Sequence, residues 1–104
     1  MRLTYPTALV LQALLEGSHH GFDIMDATGL PSGTVYPILR RLDADGCVRS
    51  RWEKQAVAQK EQRPPRRYYE LTAGGRQLAG EARQKARAMA DAGKRLLGTA
   101  ESEA

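Results

Sequence analysis

Around Gly46 the apolar residues change their spacing from helical to alternating, and this change constrains the fold more than any other feature of the chain. Before it, Val35, Ile38, Leu39 and Leu42 recur at i, i+3, i+4 and i+7, which places all four on one helix face. After it, Val48, Ser50 and Trp52 alternate with Arg49, Arg51 and Glu53, the period of a half-buried strand. Gly46 itself, following Asp43-Ala44-Asp45, suits a helix terminus. A helix must therefore run into a strand with only a turn between them.

Upstream, residues 7–15 read as a buried helix, with Pro6 in its first turn and Gly17 at its end. A second, short helix is expected from about His20 to Thr28. Phe22, Ile24 and Met25 supply its apolar contacts and Gly29 closes it. Leu30-Pro31 reads as a tight turn, and Ser32 is the expected N-cap of the third helix, which runs to Asp45. Pro37 is expected close to that helix's first turn, where its missing N–H costs little.

Downstream, the segment Lys54–Arg66 is polar, contains Pro64-Pro65 and reads as a long loop. A second strand follows at Arg67-Tyr68-Tyr69-Glu70-Leu71, and Thr72 then caps a last helix reaching about Leu97. Its apolar positions Leu78, Ala82, Ala86, Met89 and Leu96 fall at near-heptad spacing, with Ala79, Ala90 and Leu97 alongside. In a chain of 104 residues there is nothing left for so long a helix to cover. Burial against a second copy is the expected role of Leu78, Ala82, Ala86, Met89, Leu96 and Leu97.

The order is three helices, a strand, a basic connection, a strand and a final helix. It predicts a mainly α chain with a small antiparallel β-hairpin, a winged helix-turn-helix followed by a C-terminal dimerisation helix. The expected units are residues 1–72, reading DNA, and residues 73–104, pairing two copies. At this size a single modest core is all that fits, and small domains commonly gain stability by pairing.

The formal net charge is +4, but its distribution says more than its sum. Residues 40–67 hold nine basic side chains (Arg40, Arg41, Arg49, Arg51, Lys54, Lys60, Arg63, Arg66, Arg67) against Asp43, Asp45, Glu53 and Glu61, a surplus of five. The rest of the chain is close to neutral. Such localisation is the electrostatic footprint of a phosphate-binding surface.

In a helix-turn-helix the third helix enters the major groove, with short polar groups near its N-terminus approaching base edges. Ser32, Gly33, Thr34 and Tyr36 stand there, and Arg40 and Arg41 follow for phosphate or guanine contact. On the wing, Lys54, Lys60, Arg63, Arg66 and Arg67 are expected to touch the backbone or the minor groove. His20 is expected to begin the second helix beside the DNA.

These residues carry a resemblance. His20-Gly21-Phe22-Asp23-Ile24, then Gly33-Thr34-Val35-Tyr36-Pro37-Ile38-Leu39-Arg40-Arg41-Leu42, Gly46-Cys47-Val48, Trp52-Glu53 and Arg66-Arg67-Tyr68-Tyr69-Glu70-Leu71-Thr72-Ala73-Gly74-Gly75 resemble the PadR family of bacterial transcription regulators. The likeness spans roughly residues 5–75 and is closest to the short-tailed members, which have one helix after the wing. It implies a homodimer on palindromic promoter double-stranded DNA, commonly a repressor released by a small-molecule effector. The chain departs from the usual pattern at Phe22, where a tyrosine is typical, and at Cys47, where leucine is commoner.

Other chemistries find little support. The sequence shows no nucleophile with a partner base, no Gly-rich phosphate loop and no convergent carboxylate pair, so an enzyme is not expected. No cofactor is expected. His19-His20 lacks the spacing of a metal site, and Cys47, the one cysteine, reads as a small buried residue rather than a redox sensor. Tyr68-Tyr69 puts one ring toward the core by alternation, leaving a single exposed ring for stacking. No apolar run is long enough to cross a bilayer, Met1 to Pro6 lacks a signal-peptide pattern, and a cytoplasmic location without membrane contact is expected. The rival to DNA binding is a winged-helix interaction module whose basic face meets an acidic protein.

Overall fold

The structure, a computed structural model, describes residues 3–103, and the side chains of residues 3–98; Met1 and Arg2 lie outside them. The elements run α1 (Tyr5–Leu15), α2 (Gly21–Thr28), α3 (Ser32–Ala44), β1 (Val48–Trp52), α4 (Gln55–Lys60), β2 (Arg67–Leu71) and α5 (Ala73–Glu103). The mainly α winged helix-turn-helix with an antiparallel hairpin and a long final helix is therefore the observed fold.

Local chemistry accounts for the helix ends. Thr4 accepts the Thr7 N–H through its hydroxyl at 3.3 Å, and Pro6 sits in the first turn of α1. α2 is closed by Gly29 in the left-handed region at φ 74°, a conformation glycine adopts without steric cost. At the end of α3, Gly46 (φ 73°) turns the chain, and the Cys47 N–H reaches back to the Leu42 carbonyl at 2.8 Å. Thr72 starts α5 by accepting the Gly75 N–H at 3.1 Å.

The start of α3 differs from expectation. Pro31 is its N-cap, Ser32 is already helical, and no side-chain capping bond forms. Pro37 consequently falls inside the helix, beyond the first turn, and leaves the Gly33 carbonyl without its i+4 donor. Gly33 is exposed, so water can satisfy that carbonyl at small cost.

Val10, Leu11 and Leu14 of α1, Ile24 of α2 and Val35, Ile38, Leu39 and Leu42 of α3 form one buried cluster, joined by Val48, Tyr69 and Leu71 of the hairpin and Ala79 of α5. Phe22, expected to contribute here, is instead mostly exposed. The hairpin pairs Val48 with Leu71, Ser50 with Tyr69 and Trp52 with Arg67. His19 and His20 add a short third edge: the Tyr69 N–H donates to the His19 carbonyl at 2.7 Å, and His20 bridges Tyr68. This edge ties the wing to the start of α2.

The expected long loop between the strands contains α4. Its Ala58 is buried, so the connection packs as a small unit of its own. Its alanines and glutamines favour a helix, and the proline pair that suggests a loop lies beyond its end.

α5 changes role along its length. Leu78, Ala79 and Ala82 are buried or half-buried, with Ala79 in the core, and the helix packs chiefly on α1. Thirty-one residues at about 1.5 Å each extend some 46 Å, well past α1. The radius of gyration is accordingly 17.3 Å, against about 13 Å for a compact domain of this length. Leu78 and Ala82, expected at a dimer seam, are thus packed within their own chain. Ala86, Met89, Leu96 and Leu97 remain exposed. Among the described residues no helix is long and apolar enough to cross a membrane.

Candidate nucleic-acid interface

Burial of Val35, Ile38, Leu39 and Leu42 forces the opposite face of α3 outward. Ser32, Gly33, Arg40 and Arg41 are exposed and Thr34 is half-buried. Neither Arg40 nor Arg41 has a carboxylate partner among the ion pairs of the described residues. Their charge is therefore available to an external anion. Tyr36 behaves differently: it is half-buried and packs against the core. Its phenol lies against Gly21, where a Cβ would overlap the ring. The glycine is required by that approach, and Tyr36 is tied to the start of α2 rather than standing free.

The hairpin lies beside α3 and is anchored to its last turn. Ser50 donates to Asp43 Oδ2 at 3.2 Å, Arg67 Nη2 donates to Ser50 Oγ at 2.8 Å, and Arg67 stands 3.9 Å from Asp43. The same guanidinium lies 5.3 Å from the centre of the Trp52 ring. Arg67, expected as a DNA cation, first of all fixes the wing root to the recognition helix.

At the base of the connection Glu53 is buried and held by three side-chain bonds. Arg63 grips it at 2.6 and 2.9 Å, and Tyr68 donates its hydroxyl at 2.7 Å. Arg63 also pairs with Glu61 at 2.8 Å. The Arg63 guanidinium thus points inward and is withdrawn from the set of free wing cations, contrary to the sequence reading. A carboxylate so well matched keeps its charge, since a bidentate guanidinium is among its strongest partners. The bonds from Arg63 pull the Glu53 carboxyl down from its ordinary 4.5 to about 2, against the opposing effect of burial.

Because the folded value is the lower one, this clasp contributes fully above pH 4.5 and is lost as the pH falls toward 2. The side-chain carboxyl 13C shift of Glu53 should titrate with a midpoint near 2 in the native protein. In an Arg63→Met variant the midpoint should move up. A native midpoint near 4.5 would remove the clasp.

His20 is structural too. It caps α2, its Nδ1 accepting the Asp23 N–H at 3.4 Å, and its Nε2 lies 3.1 Å from Asp23 Oδ2. Its ring meets Tyr68 edge-on, 5.8 Å between centres. Only 8% exposed, it is poorly placed to reach DNA directly, which revises the expectation. Lys54 and Lys60 stand exposed at the two ends of α4, and Arg66 is half-buried without an ion pair among the described residues. Arg49 and Arg51, absent from the candidate set, are exposed on the outer face of the hairpin, Arg51 lying over the Tyr68 ring. Strand alternation alone would have placed them there. Cys47 is half-buried against the core. Among the described residues no group of three or more histidine, cysteine or carboxylate side chains could hold a metal ion.

This geometry has known counterparts. The family model of the PadR-like transcriptional regulators matches residues 10–81, well over half of the chain. The chain belongs to the PadR-like family. A PadR-family transcription regulator from Clostridium difficile R20291 is 21% identical, covering 90% of this chain and 99% of that one, with a TM-score of 0.77. A PadR-family transcriptional regulator from Eggerthella lenta is 26% identical over 88% of this chain and 80% of that one, at 0.67. The fold is shared more widely: Bordetella bronchiseptica BpsR, whose DNA binding is regulated by 6-hydroxynicotinic acid, is 24% identical with a TM-score of 0.71, covering 88% of this chain and 65% of that one. No curated protein sequence matches the chain. PadR-like proteins are transcription regulators, and the exposed face of α3 with the adjoining wing is where this PadR-like chain concentrates its available positive charge.

Proposed function

We propose that this PadR-like chain is a sequence-specific DNA-binding repressor that acts as a homodimer on an inverted-repeat promoter site and is released by a small-molecule effector. The observation that carries the reading is the outer face of α3. Arg40 and Arg41 are exposed there and pair with no carboxylate among the described residues, behind a short polar N-terminus and beside a wing clasped in place. Residues 1–72 are the reading unit and residues 73–104 the pairing unit, with Ala86, Met89, Leu96 and Leu97 forming the contact between copies. Two recognition helices related by a two-fold axis would meet half-sites about one helical turn, roughly 10 bp, apart. A dimer seated on a promoter excludes polymerase, so repression is the direct output.

On this reading Ser32, Gly33, Thr34 and Arg40 face base edges, and Arg41, Lys54, Lys60 and Arg66 neutralise phosphates. Gel shift and salt titration separate the roles. Arg40→Ala should weaken the selected site by about 1–3 kcal/mol and relax its sequence preference. Lys54→Ala with Lys60→Ala should weaken selected and random duplexes alike, and lower the salt slope by up to about one per lost phosphate contact. Equal loss on both duplexes for Arg40→Ala removes it from base reading. Binding that never distinguishes any duplex from another favours the acidic-partner module instead.

A further inference from the structure

Large apolar side chains gather where a DNA-reading surface would be expected to be most polar. Phe22 at the start of α2 and Trp52 at the end of β1 are 63% and 62% exposed. They line one open crevice of about 490 Å³ together with Tyr36 and Pro64-Pro65. Scattered exposed apolar groups need no explanation, but a contiguous set marks an interaction surface. Among the described residues no carboxylate lines this crevice, whereas Arg66 and Arg67 do. The indole is also held in place: Arg67 stacks on it, and Arg67 is in turn bonded to Ser50.

The crevice opens between α3 and the wing, so a duplex touching both must run its backbone across it. That backbone alternates charged phosphates with deoxyribose rings whose C–H faces are apolar. We infer that Trp52 and Phe22 cradle the deoxyribose faces of the strand that passes between recognition helix and wing, while Arg66 takes the adjoining phosphate. The inference rests on the DNA-binding reading and adds to it a contact of a different physical kind. Cation–phosphate contacts release counterions and weaken with salt, whereas burial of an aromatic face does not. Since the contact is to the backbone, it is independent of base sequence.

Trp52 is the single tryptophan of the chain, so its emission reports this crevice alone. The whole 104-residue chain is titrated with a random-sequence duplex of about 30 bp, long enough for two half-sites, over a range of salt concentrations. Binding is expected to change the Trp52 emission. Trp52→Ala should lower affinity about ten-fold at every salt concentration and leave the salt slope unchanged. Trp52→Phe, which keeps an apolar ring, should recover most of the loss. Arg66→Ala should reduce the slope by about one. Phe22→Ala, tested for the same slope-independent loss, carries the experiment if the Trp52 variants melt at lower temperature.

Unchanged emission on binding overturns the inference, as does a loss in Trp52→Ala that arises only through the slope, or wild-type affinity in both Trp52→Ala and Phe22→Ala. A wild-type protein that binds no duplex even at low salt overturns the DNA-binding reading, and this contact with it. A duplex bound with the crevice variants unaffected overturns the contact alone.

Discussion

A variant carrying Met89→Glu, Leu96→Glu and Leu97→Glu is expected to sediment as a monomer and to bind a two-half-site duplex at least about a hundred-fold more weakly than the native chain. The three side chains are 77%, 74% and 67% exposed, an unusual display for residues of this size on one helix. Met89 and Leu96 are seven residues apart and lie on one face. α1 packs against the first part of α5, where Ala79 and Ala82 are buried, and an open groove lined by Tyr5, Ala8 and Leu9 with Ala82, Ala86 and Ala90 follows; Met89, Leu96 and Leu97 lie beyond it and are exposed. Burying a side chain of this size stabilises an interface by roughly 1.5–3 kcal/mol. Glutamate at the same positions both loses that burial and sets like charges across the seam.

The loss on DNA follows from effective concentration. Once one half-site is occupied, a linked second copy finds its half-site intramolecularly, a gain of about 10² to 10⁴ in avidity that a monomer forgoes. Affinity for a single half-site should be unaffected. Sedimentation velocity and binding to one-site and two-site duplexes check both statements. A variant that remains a dimer would move the pairing surface off this stripe.

Gly75→Ala is the second large effect. Gly75 is buried in the first turn of α5, and a Cβ there would overlap the Cys47 carbonyl oxygen and crowd Leu71. The carbonyl has no free retreat, because it accepts the Thr72 N–H at 3.0 Å. Either α5 shifts outward or the turn after α3 gives way. We expect a destabilisation of about 3 kcal/mol, a fall in Tm of roughly 12–24 °C for a domain of this size. Gly74→Ala is the internal control. Its Cβ would approach only the Thr72 hydroxyl, at 3.8 Å, and should be neutral or stabilise by up to about 1 kcal/mol. Thermal melts of the two variants distinguish a steric requirement from a general preference for glycine.

Much of the architecture was legible because its causes are local. The i, i+3, i+4, i+7 stripe of α3, the period-two run after Gly46, and Thr72 as a cap each depend on residues within a few positions, and each stands where the pattern put it. The errors of boundary were small: Pro31 rather than Ser32 caps α3. α4 was missed because its six residues are too few to establish a period. The strand edge at His19-His20 was missed for a different reason, since its partner, Tyr68, is distant in sequence.

The candidate interface was less legible than the fold, and Arg63 shows why. Nothing in its neighbourhood distinguishes it from Lys60 or Arg66. It faces inward because Glu53, ten residues away, is covered there by the folded wing, and a buried carboxylate left unpaired would be costly. Arg67 is turned to structural work by partners of the same remote kind, Ser50 and Asp43, whereas His20 is held both by its near neighbour Asp23 and by the distant Tyr68 ring.

The change of period at Gly46, by itself, determined that this chain would place a helix against a hairpin, because backbone periodicity is set by which neighbours along the chain are apolar. Which of the nine cations clustered around that junction would be spent inside the wing and which left for a phosphate was decided only by the tertiary structure. Charge pairing depends on distance in space and on local dielectric, and neither exists until the chain has folded.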